Sequence, residues 1–271
     1  MASPTWSPDQ YLKFAVARAR AFDDLVARIQ TSQPVSVADL GCGPGNATRT
    51  LVDRWPGAHV TGIDSSEAMI AEARHLAVEV PDARLRFEVG DVETWAPDDA
   101  VDVIIANAVL HWIPDHAALL PRWVTALRPG GSLAFQMPAP ADERGATALR
   151  VVTSAPRWSG RLAGVTSPGG LASEPTWVRS ADAYADLLSR LDCSVDAWET
   201  TYMHVLPGDD PVLEWFAGSG LRPYFDALGG DTSPDAAAFR DEMAAALRDA
   251  YPRQPYGTIL PFRRVFVVAQ R

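Results

Sequence analysis

Between Val35 and Asn46 the chain passes from a β-branched apolar run, Val35-Ser36-Val37-Ala38-Asp39-Leu40, into three glycines at alternate positions, Gly41, Gly43 and Gly45. A second apolar run, Ala58-His59-Val60-Thr61-Gly62-Ile63, is closed by an acidic residue, Asp64. A strand that breaks into glycines and re-enters a helix restricts the chain to an α/β domain with a ligand at its first strand–helix turn. The glycines admit positive φ and let a ligand approach the main chain closely. The helix that follows, Ala47 to Trp55, aims its N-terminal N–H groups at that ligand. A carboxylate at the end of the second strand can accept hydrogen bonds from two ribose hydroxyls, so the pattern reads as a nucleotide-cofactor site.

Spacing excludes two kinds of nucleotide. A phosphate-binding loop needs Gly-Lys-Ser/Thr after its glycines, and here the residues are Asn46-Ala47-Thr48. A dinucleotide fingerprint needs G-x-G-x-x-G, and here the third glycine arrives one residue early, at Gly45. Asp39, just before the turn, would repel a pyrophosphate. It suits a ligand with a positive end, such as the ammonium of an amino acid.

The set Asp39-x-Gly41-x-Gly43-x-Gly45, then Asp64, resembles the S-adenosylmethionine site of class I methyltransferases. Phe87-Glu88-Val89-Gly90-Asp91-Val92 resembles the third strand of that family and its adenine-edge carboxylate. Val101-Asp102-Val103-Ile104-Ile105-Ala106-Asn107-Ala108 resembles its fourth strand, whose end lies beside the methionine moiety. Arg128-Pro129-Gly130-Gly131-Ser132-Leu133-Ala134-Phe135 resembles the entry into its fifth. The resemblance implies S-adenosyl-L-methionine as cofactor, without metal. It implies a Rossmann-like seven-stranded α/β sheet, mostly parallel with an antiparallel last strand, under a helical lid. The cofactor contacts it implies are Asp39, Gly41, Gly43, Asn46, Asp64, Ser65, Met69, Asp91, Val92, Asn107 and Tyr11. Simpler uses stay open: Asp39 capping the turn, Asp64 as N-cap of the Ser65-Ser66-Glu67 helix, and Asp91 only shaping a turn.

At 271 residues and 47% hydrophobic content the chain can bury the core of one α/β domain with a substantial insertion. Its net charge of −10 argues against a nucleic-acid substrate, which favours a basic face. Lys13 is the sole lysine, so the cations are arginines, which form rigid carboxylate-binding forks. Cys42 and Cys193 match no metal spacing. Met1 to Pro8 holds no apolar signal-peptide core, and no run approaches the ~20 apolar residues of a membrane span. These features read as a soluble cytoplasmic enzyme with a small-molecule substrate and no obligate protein partner.

Periodicity places amphipathic helices over Pro8 to Ile29, within an N-terminal helical region spanning 1–30. Strands are expected at Val35–Leu40, His59–Ile63, Leu85–Glu88, Val101–Ala106 and Ser132–Met137. Helices are expected at Ala47–Arg54, Ser66–Glu79 and Asp115–Leu127 between them, an alternation that gives a parallel sheet with right-handed crossovers. After Met137 the rhythm breaks, and Ala139 to Val178 is rich in Gly, Pro, Ser, Arg and Trp. A helix at Ala181–Leu191, a long strand at Val195–Val205, a mostly helical stretch from Pro211 to Tyr251 and a strand at Val265–Ala269 follow. The last two strands read as an antiparallel pair. The whole, 1–271, reads as one methyltransferase domain in which 139–178 and 207–258 are the lid and specificity elements.

Nearly the whole chain resembles trans-aconitate methyltransferases. The matching pieces are Trp6-Ser7-Pro8-Asp9-Gln10-Tyr11, the run from Asn107 to His116, the run from Val195 to His204, the run from Glu214 to Pro223, and Leu260-Pro261-Phe262-Arg263-Arg264-Val265-Phe266. The Asn-x-x-Leu-x-Trp piece is shared with malonyl-carrier-protein methyltransferases, whereas the C-terminal pieces are more specific. The resemblance implies methyl-ester formation on a small polycarboxylate, trans-aconitate first. Arg222, Arg263 and Arg264 are candidates to hold its spectator carboxylates, helped by Tyr202, His204, His111, Trp112 and Tyr11. One of the adjacent pair Arg263 and Arg264 must point away if they lie on a strand. His111 would orient a carboxylate acceptor, or act as general base for a hydroxyl acceptor. Transfer to malonyl carrier protein or to a natural-product hydroxyl, and cofactor binding without catalysis, are the alternatives.

Overall fold

The computed structural model describes residues 15–78, 80–139, 143–166, 171 and 177–271, with side chains from residue 19 onward. Two compact units divide it: Val16–Met137 with Arg179–Glu199 and Val265–Arg271, and the described parts of Pro138–Val178 with Thr200–Arg264.

The first unit opens with helix α1 (Ala15–Ala27). Then come β1 (Ser36–Leu40), α2 (Asn46–Arg54), β2 (His59–Asp64), α3 (Glu67–Ala77), β3 (Leu85–Val89) and β4 (Val101–Asn107). Helix α4 (Leu120–Ala126) leads straight into β5 (Leu127–Pro138). The sheet has seven strands, ordered β3-β2-β1-β4-β5-β7-β6, where β6 is Ser194–Leu206 and β7 is Thr258–Gln270. β1 pairs in parallel with both β2 and β4, β2 with β3, and β4 with β5. β7 runs antiparallel to β5. Gly130 N–H donates to the Arg271 carbonyl at 2.7 Å, Arg271 N–H returns to Gly131 at 3.0 Å, and further along Ala139 N–H meets the Arg263 carbonyl at 3.0 Å. The order reverses between β1 and β4, which makes the carboxyl ends of those strands the crevice where such sheets bind ligands.

Central parallel strands are covered on both faces and therefore read as unbroken apolar runs. In β4, Val103, Ile104, Ile105 and Ala106 are all fully buried. Asp102 in that strand is held by the N–H groups of Val35 (2.8 Å) and Ser36 (2.9 Å) and by Arg128 (3.0 Å), which staples β4 to the start of β1. Ser66 caps α3 by accepting from Met69 N–H at 3.3 Å.

Several boundaries differ from the sequence reading. A short 3-10 turn at His116–Ala118 precedes α4, in place of one helix from Asp115 to Leu127. Pro121, in the first helical turn, has no N–H to continue the earlier turn. β7 begins at Thr258, seven residues before Val265. Its first half buries alternate residues, Leu260, Phe262 and Arg264, and only from Val265 to Ala269 is every residue buried on both faces. The apolar run thus marks only the second half of the strand.

In the second unit, residues 139–178 contain a helix that the composition concealed, α5 (Glu143–Thr153). Its buried face is Gly145, Ala146, Ala148, Leu149 and Val152, and a Cβ on Gly145 would lie 2.8 Å from the Tyr251 hydroxyl. Pro211 to Tyr251 resolves into α7 (Pro211–Ala217), α8 (Arg222–Ala227) and α9 (Pro234–Ala250), each with proline in its first turn, where the missing N–H is harmless. α6 (Ala181–Ser189) belongs to the first unit. Trp158 is fully buried, donates from Nε1 to Glu242 at 2.7 Å, and meets Phe239 edge-on at 5.6 Å. Among the described residues no helix is long and apolar enough to cross a membrane.

Candidate functional site

Five parallel strands, β1 to β5, end on the same edge, and most of the sequence-predicted cofactor residues lie at or just beyond the ends of β1 to β4. Asp39 is the penultimate residue of β1 and is 2% exposed. One carboxylate oxygen accepts from the Thr48 hydroxyl at 2.6 Å; the other, also buried, has no hydrogen-bond partner among the described residues. An orphaned buried carboxylate oxygen is costly, and a cation beside it removes the cost. Burial pushes the Asp39 pKa from 3.8 up to about 6, the Thr48 hydrogen bond draws it down, and the charge of Asp64 raises it again.

The glycine turn is pinned to β2. Gly41 and Cys42 N–H groups both reach the Ile63 carbonyl, at 2.7 and 3.0 Å. Asp64 accepts from Gly43 N–H at 2.9 Å with one oxygen and from Ser66 N–H at 2.9 Å with the other. Ser66 rather than Asp64 is therefore the helix cap, and Asp64 fastens the turn. Each of its oxygens keeps a lone pair for a hydroxyl donor.

The two nearest glycines serve different ends. Gly41 has φ 74° and its absent Cβ would lie 2.5 Å from a Val109 methyl, so the residue is demanded by packing. Gly43 has φ 56° and nothing within 4 Å of where a Cβ would project, so the backbone there is open to a ligand. This open cradle and the orphaned Asp39 oxygen fit an amino-acid-bearing nucleoside.

Asn46 is exposed at the start of α2, Ser65 is exposed, and Met69 and Val92 are buried at 4% and 6%. Asp91 is exposed and forms an Asx turn, accepting from Glu93 N–H at 2.8 Å, so part of its capacity is spent locally. Asn107 ends β4, partly exposed, with its side-chain oxygen accepting from the Gln136 amide. Tyr11 lies outside the described residues.

His111 follows β4 in the short turn Leu110–Trp112, 5% exposed, its ring 5.1 Å from that of Trp112. It shares the first unit with the described residues expected to hold the cofactor. Tyr202, Arg222 and Arg264 belong to the second. Tyr202 is buried on β6 and stacks on His204 at 5.9 Å, and His204 lies 4.8 Å from the buried ring of Trp215. Arg264 is buried with its guanidinium 5.0 Å from the Phe262 ring, while Arg263 is exposed, the alternation a strand imposes. Arg222 is buried at the start of α8 and ion-pairs with Asp231, which also receives Arg240 at 3.4 Å.

Two polar residues of this edge escaped the sequence reading. Thr48 is fully buried and Gln136 is 1% exposed. Their only local signals are a hydroxyl in the first turn of α2 and a lone amide in the apolar run Ser132–Met137.

A family profile described as "Methyltransferase domain" matches residues 37–131. Among curated proteins, the trans-aconitate 2-methyltransferase of Streptomyces coelicolor is 46% identical, covering 99% of this chain and 88% of that one. The enzyme of that name from Azoarcus is 43% identical over 99% of this chain and all of its own length, and that from Mycobacterium tuberculosis 40% over 98% and 96%. Among solved structures, the YcgJ protein of Bacillus subtilis shares the fold with a TM-score of 0.55 at 14% identity, covering 93% of this chain and 98% of that one. Phosphoethanolamine N-methyltransferase 2 of Haemonchus contortus does so with a TM-score of 0.54 at 14% identity, covering 93% and 52%. Identity at this level across both units, joined to a methyltransferase profile over the strand ends just described, settles the family: the chain belongs to the trans-aconitate 2-methyltransferases.

Proposed function

We propose that the chain transfers the methyl group of S-adenosylmethionine to one carboxylate of a small polycarboxylic acid, with trans-aconitate as its substrate. The observation that carries this reading is the extent of the 46% identity, which runs through 99% of the chain and so includes the second unit as well as the cofactor half. When bound, S-adenosylmethionine supplies an electrophilic methyl group on a sulfonium centre.

The chain's own residues supply the rest. Asp39 holds the ammonium, Asp64 the ribose, Asp91 the adenine edge, and the Gly43 backbone leaves room for the ligand. A carboxylate acceptor is ionised at pH 7 and needs no general base, so His111 orients it. Joining an anion to a cation neutralises charge, which a dry, aligned site favours. Arg264 and Arg222 hold the carboxylates that do not react, with Tyr202 beside them, and 139–178 and 207–258 carry acceptor specificity. Cys42 and Cys193 are free thiols, in keeping with a cytoplasmic setting.

Arg264→Ala and Arg222→Ala should each lower kcat/KM for the acid by roughly 2–3 kcal/mol of transition-state binding, with cofactor affinity kept in both. Steady-state kinetics and cofactor titration of each variant check this.

A further expectation concerns pH. The ammonium needs Asp39 ionised, and in the free protein Asp39 titrates near 6. Above that pH binding releases no proton; below it, binding must displace one. Affinity for S-adenosylhomocysteine should be flat from pH 8 to 7 and fall about tenfold per unit below 6. Calorimetry across that range measures it, and a flat profile down to pH 5 would remove Asp39 from the ammonium.

The reading as a whole is tested by release of S-adenosylhomocysteine with a panel of mono-, di- and tricarboxylic acids. Rates should be highest with trans-aconitate and lowest with monocarboxylates. Turnover of a neutral phenol with none on any polycarboxylate would defeat it and make His111 the general base.

A further inference from the structure

β5 buries Ser132 to Met137 completely apart from 1% of Gln136, the one amide side chain in the run. A buried amide is retained only where its donors are used. Gln136 lies opposite Asn107 in the β4–β5 register and grips the end of β4 twice. Its side-chain Nε2 donates to the Asn107 side-chain oxygen, and its backbone carbonyl accepts from Ala108 N–H at 2.9 Å. Ala108 is held at φ 54°, a left-handed conformation that a non-glycine residue keeps only when its surroundings enforce it, and such residues gather at functional sites. The next residue, Val109, fills the space against Gly41 in the glycine turn. The end of β4 is therefore fixed from both sides.

The consequence lies in the polarity of Asn107. Its amide has one acceptor oxygen and one NH₂ donor group. The bond from Gln136 turns the oxygen toward β5, so the NH₂ branch of the planar amide is the one directed away from that strand. Asn107 lies two residues beyond Ile105, which pairs with Asp39 across the β1–β4 register, so this donor stands at the same strand edge as the ammonium acceptor.

We propose that Gln136 is a positioning residue that locks the Asn107 amide with its NH₂ toward a ligand carboxylate. This rests on the methyltransferase reading above. The carboxylate belongs either to the acceptor acid or to the amino-acid end of the cofactor, and the test separates them.

The test compares wild type, Gln136→Glu and Gln136→Met by calorimetry from pH 5 to 8.5, titrating S-adenosylhomocysteine and then trans-aconitate into the homocysteine complex. A glutamic acid as buried as Gln136 titrates above the ordinary carboxylate range. While protonated it donates to the Asn107 oxygen as glutamine does. Once ionised it accepts instead, draws the Asn107 NH₂ to itself and turns the amide round. Gln136→Glu should match wild type at the acid end and lose at least tenfold in affinity as pH rises through that new titration. Gln136→Met should be weaker at every pH with no new titration. Asp39 on β1, His111 after β4, and Arg263 and Arg264 on β7, the strand on the other side of β5, are present in every variant, so each is read as a ratio to wild type at the same pH.

A loss in the trans-aconitate titration assigns the donor to the acceptor, and a loss in the homocysteine titration assigns it to the cofactor. Because the acid-end affinity of Gln136→Glu is measured on the same folded protein, a folding defect cannot imitate the result. If Gln136→Glu follows wild type at all pH values in both titrations, the proposal is wrong. If wild type binds no polycarboxylate, the acceptor reading fails and the homocysteine titration alone decides this one.

Discussion

Asp39→Asn is expected to make the free protein more stable at pH 8 and to weaken its affinity for S-adenosylmethionine strongly. The folded-state pKa of Asp39 is raised, from 3.8 to about 6, so the folded protein binds a proton there more tightly than the unfolded chain does. Between those values the native state holds the extra proton, and stability falls as pH rises. Above pH 6 the full penalty of the buried charge, roughly 2–3 kcal/mol, is present. Asparagine removes that charge and still accepts the Thr48 hydroxyl bond. Its NH₂ then lacks an acceptor, so the net gain should be about 1–2 kcal/mol. At pH 5, where Asp39 is already mostly protonated, the gain should shrink. Affinity for the cofactor should drop roughly 10²–10³-fold, because a charge-assisted bond is lost and two donors now oppose each other. Thermal melts at pH 8 and pH 5, with calorimetry at pH 8, give all three quantities. Equal melting temperatures at both pH values would show that the buried carboxylate carries no penalty.

The second large effect separates two glycines that look alike in the sequence. Gly41→Ala forces a left-handed alanine, at about 1–2 kcal/mol, and drives its methyl against Val109, whose methyl would be 2.5 Å away. Overpacking of this kind adds about 1–3 kcal/mol, so the variant should lose roughly 2–5 kcal/mol of stability. Gly43→Ala carries only the conformational term, since no atom lies within 4 Å of the new methyl. It should fold with a loss near 1–2 kcal/mol and bind cofactor at least tenfold more weakly. Denaturant unfolding and cofactor titration of both variants check the contrast. Equal destabilisation with equal binding would mean that neither site is specialised.

What the sequence made legible follows from which forces act locally. β1, β2 and β4 are parallel strands with mostly buried interiors, so they appear as apolar runs ending in turns, and the residues proposed to hold the cofactor could be named from the ends of those runs. The α5 helix stayed hidden because its buried face is built partly of small residues, Gly145, Ala146 and Ala148, and the close approach of Gly145 to Tyr251 is announced by no periodicity. The first half of β7 stayed hidden because it buries only one face and contains Pro261. Thr48 to Asp39, Gln136 to Asn107 and Arg222 to Asp231 are side-chain pairings between separate elements or across a loop. No local pattern specifies them, yet they set the charge and polarity of the residues the sequence did name.

The central claim is that this chain esterifies a small polycarboxylate, and the most direct measurement is the mass of the product. Purified protein incubated with S-adenosylmethionine and trans-aconitate should yield a monomethyl ester, one CH₂ heavier than the acid, mole for mole with S-adenosylhomocysteine. Formation of S-adenosylhomocysteine with no ester of trans-aconitate or of any other di- or tricarboxylic acid, alongside methylation of a hydroxyl compound or a carrier protein, would contradict it.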